Sequence, residues 1–230
     1  MAVTVHGEAL DGFIAKWRAR WPEWSIAEVF VPASQRGIVL AWFSLLQELT
    51  DAAWRGDDPA PGLAKLAWWQ EELQGWSQGR RRHPLGVVLQ SHPVPWMTLA
   101  NALPELRDSR TLPHGIDQAF FGLRSFAEAA AMIEAVLFQD GHTQDGSGQG
   151  EHASPASNSV AATLMVMHPS VAGNADDAPR AALLSQWSEP RGPRARRIMA
   201  TLARARLARR TSQPLPQWRA LWLAWRAARR

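Results

Sequence analysis

Cysteine and tyrosine are absent from this 230-residue chain, and lysine occurs only twice, at Lys16 and Lys65. Without cysteine there is no disulfide and no thiolate metal site, which excludes zinc-finger and thioredoxin-like readings. No apolar run approaches the roughly 18 residues that a membrane-spanning helix needs. Met1 to Glu8 lacks the basic and apolar regions of a secretory signal, so the cytoplasm is the expected compartment. Also missing are a Gly-x-Ser-x-Gly elbow, a Walker-type loop and a Gly-x-Gly-x-x-Gly fingerprint, so hydrolase, nucleotidase and dinucleotide readings have no support. No segment alternates β-branched and polar residues with period 2, which predicts no sheet.

What is present is an ordinary globular composition, 46% hydrophobic and 20% charged. Thirteen Trp and twenty-three Arg stand out. Both residue types have G-rich codons, so neither is a functional signal by itself. The net charge of +4 hides an asymmetry. Residues 1–180 hold 20 acids and 13 Lys or Arg, a net of −7, whereas residues 181–230 hold 12 Arg and the single acid Glu189, a net of +11. A tail of one sign either solvates the outer faces of packed helices or meets an anionic partner.

Apolar spacing is helical almost throughout. Leu10, Phe13, Ile14, Trp17 and Trp21 share one face, and Pro22 closes that helix. A second helix is predicted from Ser34, as its cap, to about Arg55, with Val39, Leu40, Phe43, Leu46 and Leu49 buried. A Gly/Asp/Pro turn follows, then a helix from Leu63 to about Gln78, stopped by Gly79. Residues 80–112 read as short helices between prolines. Residues 116–138 read as one long helix, and 139–158 as a flexible Gly/Ser/His-rich linker. Further helices are expected near 159–167, 178–187, 193–210 and 215–229. The expectation is an all-α bundle of about seven to nine helices, one domain over residues 1–230 with an Arg-rich helical part at 193–230.

One helix face carries candidate chemistry. In Gln47-Glu48-Leu49-Thr50-Asp51 the side chains at 47 and 51 are four apart, with Glu48 three before Asp51. Two carboxylates and an amide on one face suit Mg²⁺, a hard cation that takes oxygen ligands. His142 and His152, with Asp140, Asp145 and Glu151, fall in the linker without ligand spacing, and no metal site is assigned to them.

Three segments around that face carry a resemblance. Phe30-Val31-Pro32-Ala33-Ser34-Gln35-Arg36 precedes it. Trp68-Trp69-Gln70-Glu71-Glu72-Leu73 follows, and then His83-Pro84-Leu85-Gly86. In this order they resemble the squalene/phytoene synthase family, most closely over residues 28–90. The resemblance implies an all-α isoprenoid-synthase-like fold and head-to-head joining of two prenyl diphosphates. It also implies Mg²⁺ as cofactor, with Glu48 and Asp51 as metal-binding and catalytic carboxylates. Arg36 and Gln47 become substrate-binding residues, and a prenyl diphosphate or another isoprenoid lipid the ligand. Two departures bear on activity. Gln47 stands where the family has its first Asp, and the helix at 116–138 holds Asp117, Glu128 and Glu134 but no Asp-x-x-x-Asp pair. Losing half the metal carboxylates removes leaving-group stabilisation, at tenfold in rate for each ~1.4 kcal/mol. The expectation is therefore a degenerate member with weak or no synthase activity, or a non-catalytic lipid-surface or protein-binding scaffold that kept the fold.

Other features have two readings. Of Trp68 and Trp69, about 100° apart on a helix, at most one faces the core fully. Arg80-Arg81-Arg82-His83 either complements a helix C-terminus or contacts phosphate. Trp218, Trp222 and Trp225 lie at i, i+4 and i+7 among Arg219, Arg226, Arg229 and Arg230. Either this face packs on the body and the arginines solvate it, or the helix lies in a membrane interface as a peripheral contact. Nucleic acid is the least favoured partner, and no motif names a protein partner.

Overall fold

The computed structural model describes residues 2–111, 115–139, 155–173, 177–209 and 213–230. These form thirteen α-helices, two short 3₁₀ helices and, among the described residues, no strand. The helices are α1 (Ala2–Arg20), α2 (Trp24–Ala27), α3 (Arg36–Trp54), α4 (Ala60–Ser77), α5 (Gly86–Leu89), α6 (Trp96–Asp108), α7 (Ile116–Gly122), α8 (Arg124–Leu137), α9 (Pro155–Met165), α10 (Pro169–Ala172), α11 (Ala178–Gln186), α12 (Arg194–Leu207) and α13 (Gln217–Ala228). The all-α expectation holds. The count of seven to nine does not, for two reasons. Proline-marked turns nucleate single-turn helices such as α2, α5 and α10. In addition, the predicted 116–138 helix breaks at Gly122–Leu123 into α7 and α8. Residues 140–154 of the expected linker lie outside the described residues, and α9 begins within its predicted range at Pro155.

The most apolar helix, α3, is buried on nearly every side, as its sequence requires. It packs against α1, α4, α5 and α6, while α8, α9, α12 and α13 follow one another around the bundle. Ser34 does not cap α3. It sits in a 3₁₀ turn, Ala33–Gln35, and Gln35 precedes the helix without a side-chain cap. Trp17, Trp24 and Phe43 form one aromatic cluster, with centroids 5.4–5.6 Å apart. Trp69, Trp76 and Trp96 form a second, with Trp76 and Trp96 edge to face at 5.0 Å.

The α4 boundaries have local causes. Asp58 Oδ1 accepts from the Ala60 amide at 2.9 Å, closing the turn before the helix. At the other end Gly79 takes φ +78°, the Arg80 amide donates to Gly75 O and the Gly79 amide to Trp76 O. This left-handed stop needs glycine and turns the chain so that Arg80–His83 folds back along α4. Among the described residues no helix is long and apolar enough to cross a membrane.

Candidate functional site

The structure brings Glu48 and Asp51 together and surrounds them with cations. Lys16 Nζ, on α1, lies 2.5 Å from Glu48 Oε1 and 3.1 Å from Asp51 Oδ2. Lys65 Nζ, on α4, reaches Glu48 Oε2 at 2.6 Å. Arg20 donates to Asp51 Oδ1 at 2.8 Å, and Arg55 Nε stands 3.1 Å from the same oxygen. The two carboxylate side chains are 4% and 10% exposed. Burial works to raise both carboxyl pKa values, but the hydrogen bonds and charge of the lysines and arginines outweigh it and hold both below their ordinary values. Four cations thus meet two anions, with a basic group on every carboxylate oxygen. That donor set does not fit Mg²⁺, which would have to displace lysines and arginines and then sit beside their charges. Among the described residues no group of three or more His, Asp or Glu side chains is arranged to hold a metal ion.

Gln47 and Arg36 do not join this pair. Gln47 instead borders a void of about 30 Å³ lined also by Trp17, Thr163 and Arg196, and its buried Oε1 has no hydrogen-bond partner among the described residues. Arg36 begins α3, fifteen residues and therefore about 22 Å along the axis from Asp51. Its Nε and Nη2 donate to the carbonyls of Val31 and Val29, which fastens the preceding turn.

The centre of the bundle is occupied by a polar network that no spacing in the sequence marks. Arg196 Nε, from α12, donates to Glu134 Oε2 on α8 at 2.8 Å, and a second Arg196 nitrogen pairs with Oε1. Trp42 Nε1 donates to the same carboxylate at 2.7 Å, and the guanidinium lies 5.0 Å from the Phe43 ring centroid. The adjoining void of about 30 Å³ has room for one water. Small-molecule cavities run to about 300–1,000 Å³.

The signature residues after α3 fasten the fold. Glu72 accepts from the Arg82 and His83 amides at 2.6 and 2.8 Å, from Arg82 Nε at 2.9 Å and from Trp76 Nε1 at 2.8 Å. The basic run therefore turns back onto a carboxylate. His83 is held against Trp69 and Phe13, with centroids at 4.4 and 4.5 Å. Burial there pushes its pKa down to about 4, against the opposing pull of Glu48 and Glu72. Trp69 is buried and Trp68 half-buried, as their angular separation requires.

On α13 the structure shows which face lies against the body. Ala220, Ala224 and Ala227 are the buried residues, and they allow close approach to α12. The tryptophan face does not pack on the body. No protein-family model, curated protein or solved structure matches the chain.

Proposed function

We propose that this chain is a squalene/phytoene synthase-like helical scaffold that has kept the architecture and lost the prenyl diphosphate transferase chemistry, retaining weak or no synthase activity. Its role is then to bind, at a lipid or membrane surface or to a protein, from the cytoplasm. The observation that carries this reading is the capture of Glu48 and Asp51 by Lys16, Lys65, Arg20 and Arg55. A carboxylate that must bridge a divalent ion to a diphosphate needs a free oxygen, and both oxygens of each are paired. The Glu134–Arg196 pair in the middle of the bundle supports the same reading, since an allylic cation needs an apolar cavity around it.

The test is diphosphate release from farnesyl and geranylgeranyl diphosphate, with and without Mg²⁺, for the wild type and Asp51→Asn. No release above background from either folded protein is expected. Metal-dependent release that disappears in Asp51→Asn would overturn the reading and make the chain an active synthase.

A further inference from the structure

The exposed face of α13 has an unusual composition. Trp218, Leu221, Trp222 and Trp225 fall at i, i+3, i+4 and i+7 and are 72%, 44%, 49% and 42% exposed. They form a single apolar ridge along the helix. The other side of α13 is its alanine face, packed on α12, so the ridge points outward with the body behind it. Leaving three indoles in water is unfavourable, and nothing in the described fold covers them.

The ridge is edged by arginine. The Arg226 guanidinium lies 5.3 Å from the Trp222 ring centroid, and that of Arg229 lies 4.8 Å from Trp225. Beside the ridge a groove of about 490 Å³ runs between α12 and α13, and Arg204, Arg219, Arg226 and Arg230 line it. The acid in that lining is Glu189, already paired with Arg230 and near Arg191. Among the described residues no carboxylate lies within ion-pair distance of Arg204, Arg219 or Arg226.

We infer that α13 docks this protein on an anionic lipid bilayer, with the indoles in the headgroup–acyl boundary and the arginines of the α12–α13 groove on lipid phosphates. Each part of the arrangement suits that occupant. Indole is amphipathic and settles at the membrane–water boundary, and flanking arginines add attraction to a negatively charged surface. A second copy of this chain is disfavoured by charge, because apposed ridges would bring their arginine borders together. Single-stranded nucleic acid would stack on the indoles but gain nothing from Leu221. The inference supplies the scaffold reading with its partner, yet stands apart from it. A chain that released diphosphate and also bound vesicles would overturn only the scaffold reading.

The experiment is co-sedimentation of the full chain with vesicles of mixed phosphatidylglycerol and phosphatidylcholine, and with phosphatidylcholine alone. Tryptophan emission is followed in parallel. Binding to the mixed vesicles with a blue shift is expected, weakening roughly tenfold as NaCl rises from about 0.1 to about 0.5 M. The triple variant Trp218→Ser/Trp222→Ser/Trp225→Ser should keep its helicity and lose binding by about tenfold or more. Arg219→Gln/Arg226→Gln/Arg229→Gln should lose the preference for phosphatidylglycerol. Absence of vesicle binding at low salt would overturn the inference. So would undiminished binding by the tryptophan variant, which would indicate charge alone. Self-association that depends on the tryptophans, without vesicle binding, would assign the face to a second copy instead.

Discussion

Lys65 Nζ lies 2.6 Å from Glu48 Oε2, on the oxygen that Lys16 leaves open. The two lysines of the chain thus converge on one carboxylate from α4 and α1, and the pair ties three helices together. The energetic consequence is asymmetric. Glu48→Gln frees two half-exposed ammonium groups to reach water, and should cost about 1–2 kcal/mol. The double variant Lys16→Met/Lys65→Met strands a buried carboxylate, and should cost about 3–5 kcal/mol. Urea unfolding of the two variants measures the difference. Mg²⁺ should leave the melting temperature of the wild type unchanged, because a ligand stabilises only the state that binds it.

Glu134 and Arg196 should behave as a coupled pair. Both side chains are 1% exposed, so removing either alone leaves the other charged and buried. Glu134→Gln or Arg196→Met should each cost about 3–5 kcal/mol. The combined variant should cost clearly less than the sum of the two, giving a coupling energy of about 1–3 kcal/mol in a double-mutant cycle. Additive losses would mean that Trp42 and Phe43, rather than the ion pair, hold this region.

Helix content was legible in the sequence because the apolar period is strong, and so were the stop at Gly79 and the buried stripe of α3. What escaped sequence reasoning depends on which helices face one another. Gln47 and Asp51 share a helical face by spacing, but packing gives them different neighbours: Lys16, Arg20 and Arg55 surround Asp51, whereas Gln47 borders the void with Trp17, Thr163 and Arg196. Glu134 and Arg196 are 62 residues apart and no local pattern pairs them. The scarcity of lysine was the available hint to Lys16 and Lys65. For α13, periodicity reveals two faces but cannot say which is inside. Alanine permits closer helix packing than tryptophan, and the alanine face won.

Gly62 sets the distance between α3 and α4. A Cβ there would stand 2.2 Å from the Ala52 carbonyl oxygen, which is backbone and cannot swing away. Ala52 is one turn beyond Glu48, and Lys65 is nearly one turn beyond Gly62, so this close approach is what brings Lys65 within reach of Glu48. Gly62→Ala should therefore destabilise by about 1–3 kcal/mol despite the better helix propensity of alanine. Its effect should be less than additive with Lys65→Met, because the ion pair is already weakened.

The pH dependence separates His83 from the acid cluster. Below about pH 6.5 the unfolded chain takes up a proton that folded His83, buried against Phe13 and Trp69, refuses until about pH 4. Stability should fall across that window as pH falls, by about 2 kcal/mol once the part exposure of the ring is allowed for. His168 is shifted the same way by burial and adds to the slope. Glu48 and Asp51 act lower. Their folded pKa values are depressed, so their contribution is complete above the ordinary carboxylate range and is lost as pH falls through the folded values. His83→Asn keeps an acceptor for the Leu85 amide, which donates to Nδ1 at 3.2 Å, but does not titrate. Urea midpoints at pH 7.5 and pH 5 should then differ less in the variant than in the wild type. An equal difference in both proteins would show that His83 is protonated in the folded state, and that Glu48 and Glu72 outweigh its burial.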